Sequence, residues 1–390
     1  MRTIAIVTSS RADYGHLYWV LKELPELPGV RMRLMVMGSH LSPEFGHTVD
    51  VIEKDGFQIH DRIECLMSSD TDVGMAKTLG LAMLSFAERF EVSRPDLLLL
   101  IADRYEMLAP ASAAMAMRIP IAHIEGGERS EGAIDQVVRN ALTAMSHLHF
   151  AATQAATRRI VQMGEEPWRV HHVGAPSLDF LRRADLLTQE ELEQKIHMDL
   201  YPPPLIVSFH PVTLEDDPAA EAEALFMALE DYPDSLAFCF PNADAGGRAI
   251  RTRATRFCQT KANAKMYVNL EPLLYWSLMK HAIAIIGNSS SGIMEAPSLA
   301  LPAVDIGRRQ EGRELASNVI RVPAESGAIR SAIDMAVSQD FRRSLIDLEN
   351  PYGDGHASER IAQTLAQTPL GQTLLHKKHN TTDQPLIANT

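Results

Sequence analysis

The sequence predicts an α/β protein built from two Rossmann-like, doubly wound domains that face one another across a cleft. Three observations carry this. Short apolar runs of buried-strand length recur along the chain, stretches with apolar residues at three- and four-residue spacing lie between them, and three consecutive prolines, Pro202, Pro203 and Pro204, divide the series in two. Strand and helix in such alternation make a parallel sheet covered on both faces.

The first series comprises residues 4–8, 33–37, 97–101, 119–123, 148–151 and 170–173, with helical spacing at 16–24 and 78–92. A charged, helix-like segment at 188–198 leads to the prolines, which can neither continue a helix nor sit in a central strand. The series restarts at 205–209, 236–240, 265–269, 282–286, 302–306 and 319–322. The expected division is a first Rossmann-like domain over 1–185, a second over 186–350, a C-terminal helix within 351–372 that crosses back to the first, and a polar tail, 373–390, without order.

Composition narrows the function. The 390 residues carry 37 Lys plus Arg against 50 Asp plus Glu, a formal net charge of −13, so there is no basic field for a polyphosphate backbone and nucleic acid is not an expected partner. No run reaches the roughly 18 apolar residues that span a bilayer, and the start lacks a signal-peptide pattern, which predicts a cytoplasmic protein with no membrane partner. Cys65, Cys239 and Cys258 are odd in number with no CxxC spacing and read as packing residues. His147 with His149, and His171 with His172, have no third ligand at site-like spacing, so no metal is expected.

In doubly wound sheets the carboxyl ends of the strands build the site. Polar clusters follow the strands: Ser9, Ser10, Arg11 and Asp13; Asp103, Arg104 and Glu106; Glu125, Gly126, Gly127 and Glu128. Any one of these would be ordinary loop and cap chemistry, but charges at three strand ends of one sheet mark a cleft. In the second half, the run ending at Ile286 enters Gly287, Asn288, Ser289, Ser290, Ser291 and Gly292, then a helix-compatible stretch with Glu295. A strand, a small-residue loop and a helix start make a phosphate cradle. Both GxxxxGK[ST] and GxGxxG are missing, which disfavours ATPase and dinucleotide chemistry. Glu295 is placed to hold ribose hydroxyls, and Arg11, Arg104 and Arg309 to hold a diphosphate; Arg308 reads as a surface residue. His210 and Asn242 end the first two strands of the second half.

With those residues in place, the chain resembles the hydrolysing UDP-N-acetylglucosamine 2-epimerases, which share the GT-B fold. The resemblance runs from Arg2 to about Leu370. It rests on Arg11-Ala12-Asp13-Tyr14, Asp103-Arg104-Tyr105-Glu106, His123-Ile124-Glu125-Gly126-Gly127-Glu128, Ile134-Asp135, Ser146-His147-Leu148-His149, His210-Pro211-Val212-Thr213, the Gly287 to Gly292 loop with Glu295, and Arg309-Gln310 with Gly312-Arg313. It implies that Asp103, Glu125 and Asp135 are the catalytic carboxylates, that Arg11, Arg104, His210, Asn242, Ser289, Ser290, Glu295 and Arg309 contact a UDP-sugar, and that the enzyme needs no cofactor. A homodimer or homotetramer is expected. The chain departs from the family pattern at Ala102, where Gly is usual, at Gln136, where a second acid commonly follows Asp135, and at Asn140 and Ala144, where His and Lys are frequent.

The implied reaction releases UDP and a free manno-configured 2-acetamido sugar through elimination to a glycal and rehydration, serving nonulosonic (sialic-type) acid biosynthesis. The hydrogen on C2 is not alpha to a carbonyl, so departure of the diphosphate must come first and acidify it. UDP-N-acetylglucosamine is the first expected substrate. UDP-N,N'-diacetylbacillosamine, which yields 2,4-diacetamido-2,4,6-trideoxymannose for legionaminic acid, is the alternative. A GT-B glycosyltransferase would use the same cradle but need an acceptor, and a nucleotide-sugar sensor would leave the carboxylates without a task.

Overall fold

In the computed structural model, residues 1–67, 71–130, 134–212, 220–240, 247–268 and 270–379 are described. The first sheet holds β1 (Arg2–Thr8), β2 (Val30–Met37), β3 (Ile59–Ile63), β4 (Leu97–Ile101), β5 (Ile121–Ile124), β6 (Leu148–Ala151) and β7 (Val170–His172), in the order β3-β2-β1-β4-β5-β6-β7. The second holds β8 (Leu205–Ser208), β9 (Leu236–Phe240), β10 (Ala264–Val268), β11 (Ala284–Gly287), β12 (Ala303–Ile306) and β13 (Val319–Val322), in the order β10-β9-β8-β11-β12-β13. Every strand pair is parallel. In both sheets the order reverses at the first strand, so crevices open beyond the carboxyl ends of β1 and β4 and of β8 and β11.

Alternation along the strands divides the first core. Ile4, Ile6, Leu34, Val36, Leu97 and Leu99 face one way, under the helix Arg11–Glu23, and Ala5, Val7, Met35, Met37, Leu98 and Leu100 face the other, under the helix Asp72–Val92. Each apolar run of the sequence falls on a strand. β3 was not among them, because this edge strand is apolar only at its two ends, Ile59 and Ile63. It is registered instead by Asp61, which pairs with Arg33 of β2 at 2.8 Å, beside a register shift between Leu34 and Met35.

The chain passes between the sheets through Ala175, Leu178 and Phe180, which share one apolar cluster with Leu192, Ile196, Ile206, Trp276 and Tyr352. The helix Ala357–Gln367 then returns to the first sheet. Ile361, Ala362 and Leu365 enter its core, and Asp179 caps the helix by accepting from the Ala357 and Ser358 amides, each at 3.0 Å. The expectation of a tail without order from residue 373 onward needs correction over 373–379. Buried Arg169 donates to the carbonyls of Thr373, Leu374 and His376, and Lys377 donates to those of Ala144 and Ser146. Residues 380–390 lie outside the described residues. No described helix is long and apolar enough to cross a membrane. The three cysteines are free thiols, Cys65 and Cys239 buried and Cys258 half-buried.

Candidate active site in the interdomain cleft

The carboxyl ends of the two sheets enclose a cavity of about 550 Å³. Arg11, Asp103, Arg104, Glu125, Asp135, His210, Ser289, Ser290, Glu295 and Arg309 all line it. Asn242 lies outside the described residues.

Three strand ends build the first wall. After β1, Asp13 accepts from the Ser9 and Ser10 amides at 3.0 and 3.1 Å while Ser10 caps the helix in return, a reciprocal capping box that fixes the turn carrying Arg11. Arg11 is half-buried at this wall with one terminal nitrogen buried and making no hydrogen bond, and desolvation lowers its guanidinium to about 10. After β4, Ala102 adopts φ 59°, the left-handed region, and Asp103 follows. Arg104 pairs with buried Glu106 at 2.9 Å, and burial pushes that carboxyl up despite the guanidinium. After β5, Glu125 is also left-handed at φ 62°. Non-glycine residues there cost on the order of 1 kcal/mol or more, and such strain gathers at functional sites.

Two residues that the sequence reading did not single out organise these carboxylates. His16, on the helix after β1, holds Glu125 at 2.8 Å. Burial opposes charge on both, but Glu125 outweighs it for the imidazole, raised to about 9, and His16 outweighs it for Glu125, whose carboxyl falls below its ordinary value. The pair is an imidazolium against a carboxylate. Arg139, fully buried on the helix Asp135–Met145, forms an ion pair with Asp103 and donates to Ser130 Oγ at 3.0 Å and to the Glu128 carbonyl at 3.2 Å. Glu128 is displaced the other way from Glu125: burial raises it, Arg313 and a hydrogen bond from Thr153 oppose, and repulsion by Glu125 adds a smaller rise.

The second wall is knitted by Asn288, buried at the end of β11. Its side chain accepts from the His210 amide at 2.7 Å and donates to the His210 carbonyl at 2.8 Å, and its carbonyl accepts from Arg309 and Gln310 at 3.1 and 2.9 Å. The helix expected to begin at the small-residue loop is a single turn, Ser291–Met294, before a 3-10 turn at Ala296–Leu299. Its dipole is correspondingly short, so the positive field here comes from side chains. Arg139 is pushed down by burial first and then by Arg313 and Arg309, which marks three guanidinium groups crowded on one cavity. Glu295 accepts from Ser177 at 2.6 Å, and its other oxygen is buried without a partner. Arg308 is exposed, as a surface residue should be.

Among the contacts that cross the cleft, Arg309 reaches Asp135 at 3.6 Å and His16 reaches Glu295 at 3.9 Å, beside the hydrogen bond from Ser177 to Glu295. On the first-domain side the cavity is also lined by apolar Met75, Leu79, Leu108, Ile134 and Val138, together with Asp72 and Tyr105. Among the described residues no three His, Cys, Asp or Glu side chains are grouped to hold a metal. His149 pairs with Glu165 at 3.1 Å, and His147 accepts from the Ile121 amide at 3.1 Å.

The family model described as UDP-N-acetylglucosamine 2-epimerase matches residues 22–366. The chain belongs to this family. Within the 2-epimerase family it is 35% identical over 379 residues to the GDP/UDP-N,N'-diacetylbacillosamine 2-epimerase (hydrolyzing) of Campylobacter jejuni, covering 96% of this chain and 98% of that one. It is likewise 35% identical over 378 residues to the UDP-N,N'-diacetylbacillosamine 2-epimerase (hydrolyzing) of Legionella pneumophila, covering 97% and 99%. Among solved structures, the UDP-GlcNAc 2-epimerase from Neisseria meningitidis bound to UDP-GlcNAc superposes with a TM-score of 0.80 and 18% identity, over 94% of this chain and all (100%) of that one. The 2-epimerase family therefore supplies the GT-B-like, two-domain frame. The expectation that placed UDP-N-acetylglucosamine first among substrates is less well supported than its alternative, since both of these 35% identical relatives carry the diacetylbacillosamine name.

Proposed function

We propose that this protein is a hydrolysing 2-epimerase that converts UDP-N,N'-diacetylbacillosamine into UDP and 2,4-diacetamido-2,4,6-trideoxymannose. The observation that carries the reading is the set of apolar first-domain side chains that share the cavity with the carboxylates, in a chain matched over 96% and 97% of its length by relatives named for this sugar. With the diphosphate on Arg11, Arg309 and Arg313 and C1–C2 among Asp103, Glu125 and Asp135, the far edge of the pyranose points toward Met75, Leu79, Leu108 and Val138. That edge of diacetylbacillosamine carries a 4-acetamido methyl and a C6 methyl, which gain from apolar burial. The 4-hydroxyl and 6-hydroxymethyl of N-acetylglucosamine would be desolvated there.

In the proposed reaction the C1–O bond breaks with its electron pair leaving on UDP, where crowded guanidinium groups stabilise the departing anion. The oxocarbenium-like centre acidifies C2–H, a carboxylate accepts that proton, and a C1=C2 glycal forms. Glu125, kept ionised by His16, suits the acceptor role. Water then adds across C1=C2: a second carboxyl, in its protonated form, gives its proton to the opposite face of C2, the hydroxyl of water bonds to C1, the proton that water loses restores that carboxyl, and the first carboxylate releases the C2 proton to solvent.

A second reading, the same reaction on UDP-N-acetylglucosamine, is favoured by the description of the matched family. The ratio of kcat/KM for the two sugar nucleotides decides between them. A preference of at least ~10-fold for the diacetylbacillosamine nucleotide is expected from two buried methyl-bearing groups, and a preference for UDP-N-acetylglucosamine overturns the substrate assignment.

A further inference from the structure

Asp103 reaches the cavity because the chain reverses at the residue before it. β4 ends at Ile101, and Ala102 turns left-handed at φ 59°, a conformation that an alanine adopts only when its surroundings impose it. Two hydrogen bonds impose it here. The Ala102 amide donates to the Ile124 carbonyl at 2.9 Å, which continues the sheet. The Ala102 carbonyl, turned away from the ladder, meets the Nε2 of His123 at 2.7 Å. A carbonyl can only accept, so Nε2 carries the proton, and Nδ1 is left to accept from the Thr143 hydroxyl at 3.4 Å.

The ring has no freedom to do anything else. His123 is fully buried. A Cβ on Gly126 would stand 2.9 Å from both His123 Nδ1 and Thr143 Oγ1, so the absence of a side chain at 126 is what admits this packing. Burial lowers the imidazole to about 4, which keeps it neutral, with a single N–H. Its place on β5, two residues before Glu125, means that one ring links the strand end bearing Glu125 to the one bearing Asp103.

We infer that His123 is a positioning residue for Asp103: its Nε2–H holds Ala102 in the left-handed turn that aims the Asp103 carboxylate into the cleft. It touches no substrate in this role and exchanges no proton. The inference rests on the reading of Asp103 as a catalytic carboxylate, and the test separates the two.

The experiment is a double-mutant cycle of His123→Leu with Ala102→Gly, reading kcat, KM and the Kd of UDP in each variant, with thermal unfolding as the check on folding. Glycine adopts positive φ without help, so the hydrogen bond matters less in its background. His123→Leu is expected to lower kcat by 10- to 100-fold in the wild-type background, with KM and UDP affinity within about 3-fold, and to lower it by less than 5-fold when Ala102→Gly is also present. His123→Gln, which keeps an N–H donor, is expected to retain more turnover than His123→Leu. An equal loss of kcat in both backgrounds, or no loss at all, overturns the inference. If His123→Leu does not fold, Thr143→Val, which removes the hydroxyl that meets Nδ1 of the ring, takes its place and must show a loss that Ala102→Gly relieves. Asp103→Asn is measured alongside: full turnover in that variant removes the catalytic reading of Asp103 itself, whereas an inactive Asp103→Asn beside an unaffected His123→Leu removes only the positioning role.

Discussion

Arg309 of the second domain reaches across the cleft to within 3.6 Å of Asp135 on the first. One guanidinium group thus sits between a carboxylate assigned to catalysis and the place assigned to the diphosphate. In the proposed reading UDP and Asp135 compete for it, so that removing the carboxylate's charge would free the arginine for the nucleotide. Asp135→Asn is expected to lower kcat by orders of magnitude while tightening UDP about 2- to 5-fold, the range of a partly exposed ion pair. Calorimetry of UDP binding checks this. Weaker UDP binding in Asp135→Asn would show that the contact does not compete with the nucleotide.

Arg309→Ala is expected to behave oppositely. A group that grips the diphosphate equally in ground and transition states raises KM more than it lowers kcat. Steady-state kinetics with the wild type as reference measures the split, and a fall in kcat with unchanged KM would place Arg309 in the chemistry instead.

The His16–Glu125 pair gives the site a pH signature. His16 is raised from its ordinary 6.5 to about 9, so the attraction is complete below about 6.5 and is lost as pH rises through about 9. Glu125 is held below its ordinary value, so on the acid side the attraction persists until pH falls beneath the usual carboxylate range. The pH profile of kcat/KM is expected to show an alkaline limb near 9 that His16→Gln abolishes, together with a ~10- to 100-fold loss at neutral pH. A His16→Gln enzyme with the same alkaline limb would contradict this.

Arg169 binds the C-terminal tail at the far edge of the first sheet, donating to three tail carbonyls and, at 3.1 Å, to the His147 carbonyl. Arg169→Ala leaves these groups unpartnered and opens a buried volume, a loss of about 3 kcal/mol. Calorimetry is expected to show the Tm of the first domain lower by about 5–10 °C, with kcat/KM at 25 °C within a few fold of wild type. An unchanged Tm would mean that the tail contributes nothing to the domain's stability.

The double sheet was legible because central parallel strands are buried on both faces and so leave unbroken apolar runs such as 97–101. β3, Ile59–Ile63, left none, because only one of its faces is covered. The site was legible where residues directly follow strands: Arg11, Asp103, Glu125 and Ser289 need only the doubly wound rule to be placed in a cleft. His16 and Arg139 sit inside helices, and only the crossing of elements brings them to Glu125 and Asp103. For Arg139 there was a signal: it stands four residues after Asp135, on the same helix face. The small-residue loop does lead into a helix start, but the helix is one turn long and Glu295 lies just past it, since Pro297 ends regular helix there. Ala102 departs from the usual glycine of the resemblance, and its backbone nonetheless keeps the glycine-like turn, at the cost that His123 offsets.

The central claim is hydrolytic epimerisation through a glycal, and one measurement tests it most directly. UDP-N,N'-diacetylbacillosamine is incubated with the enzyme alone in heavy water, without acceptor or added metal, and the products are followed by proton NMR. The account expects UDP and free 2,4-diacetamido-2,4,6-trideoxymannose to appear together, with deuterium at C2 of the sugar. Retention of the C2 proton, a UDP-linked epimer as the product, or no UDP release until an acceptor is added would each contradict it.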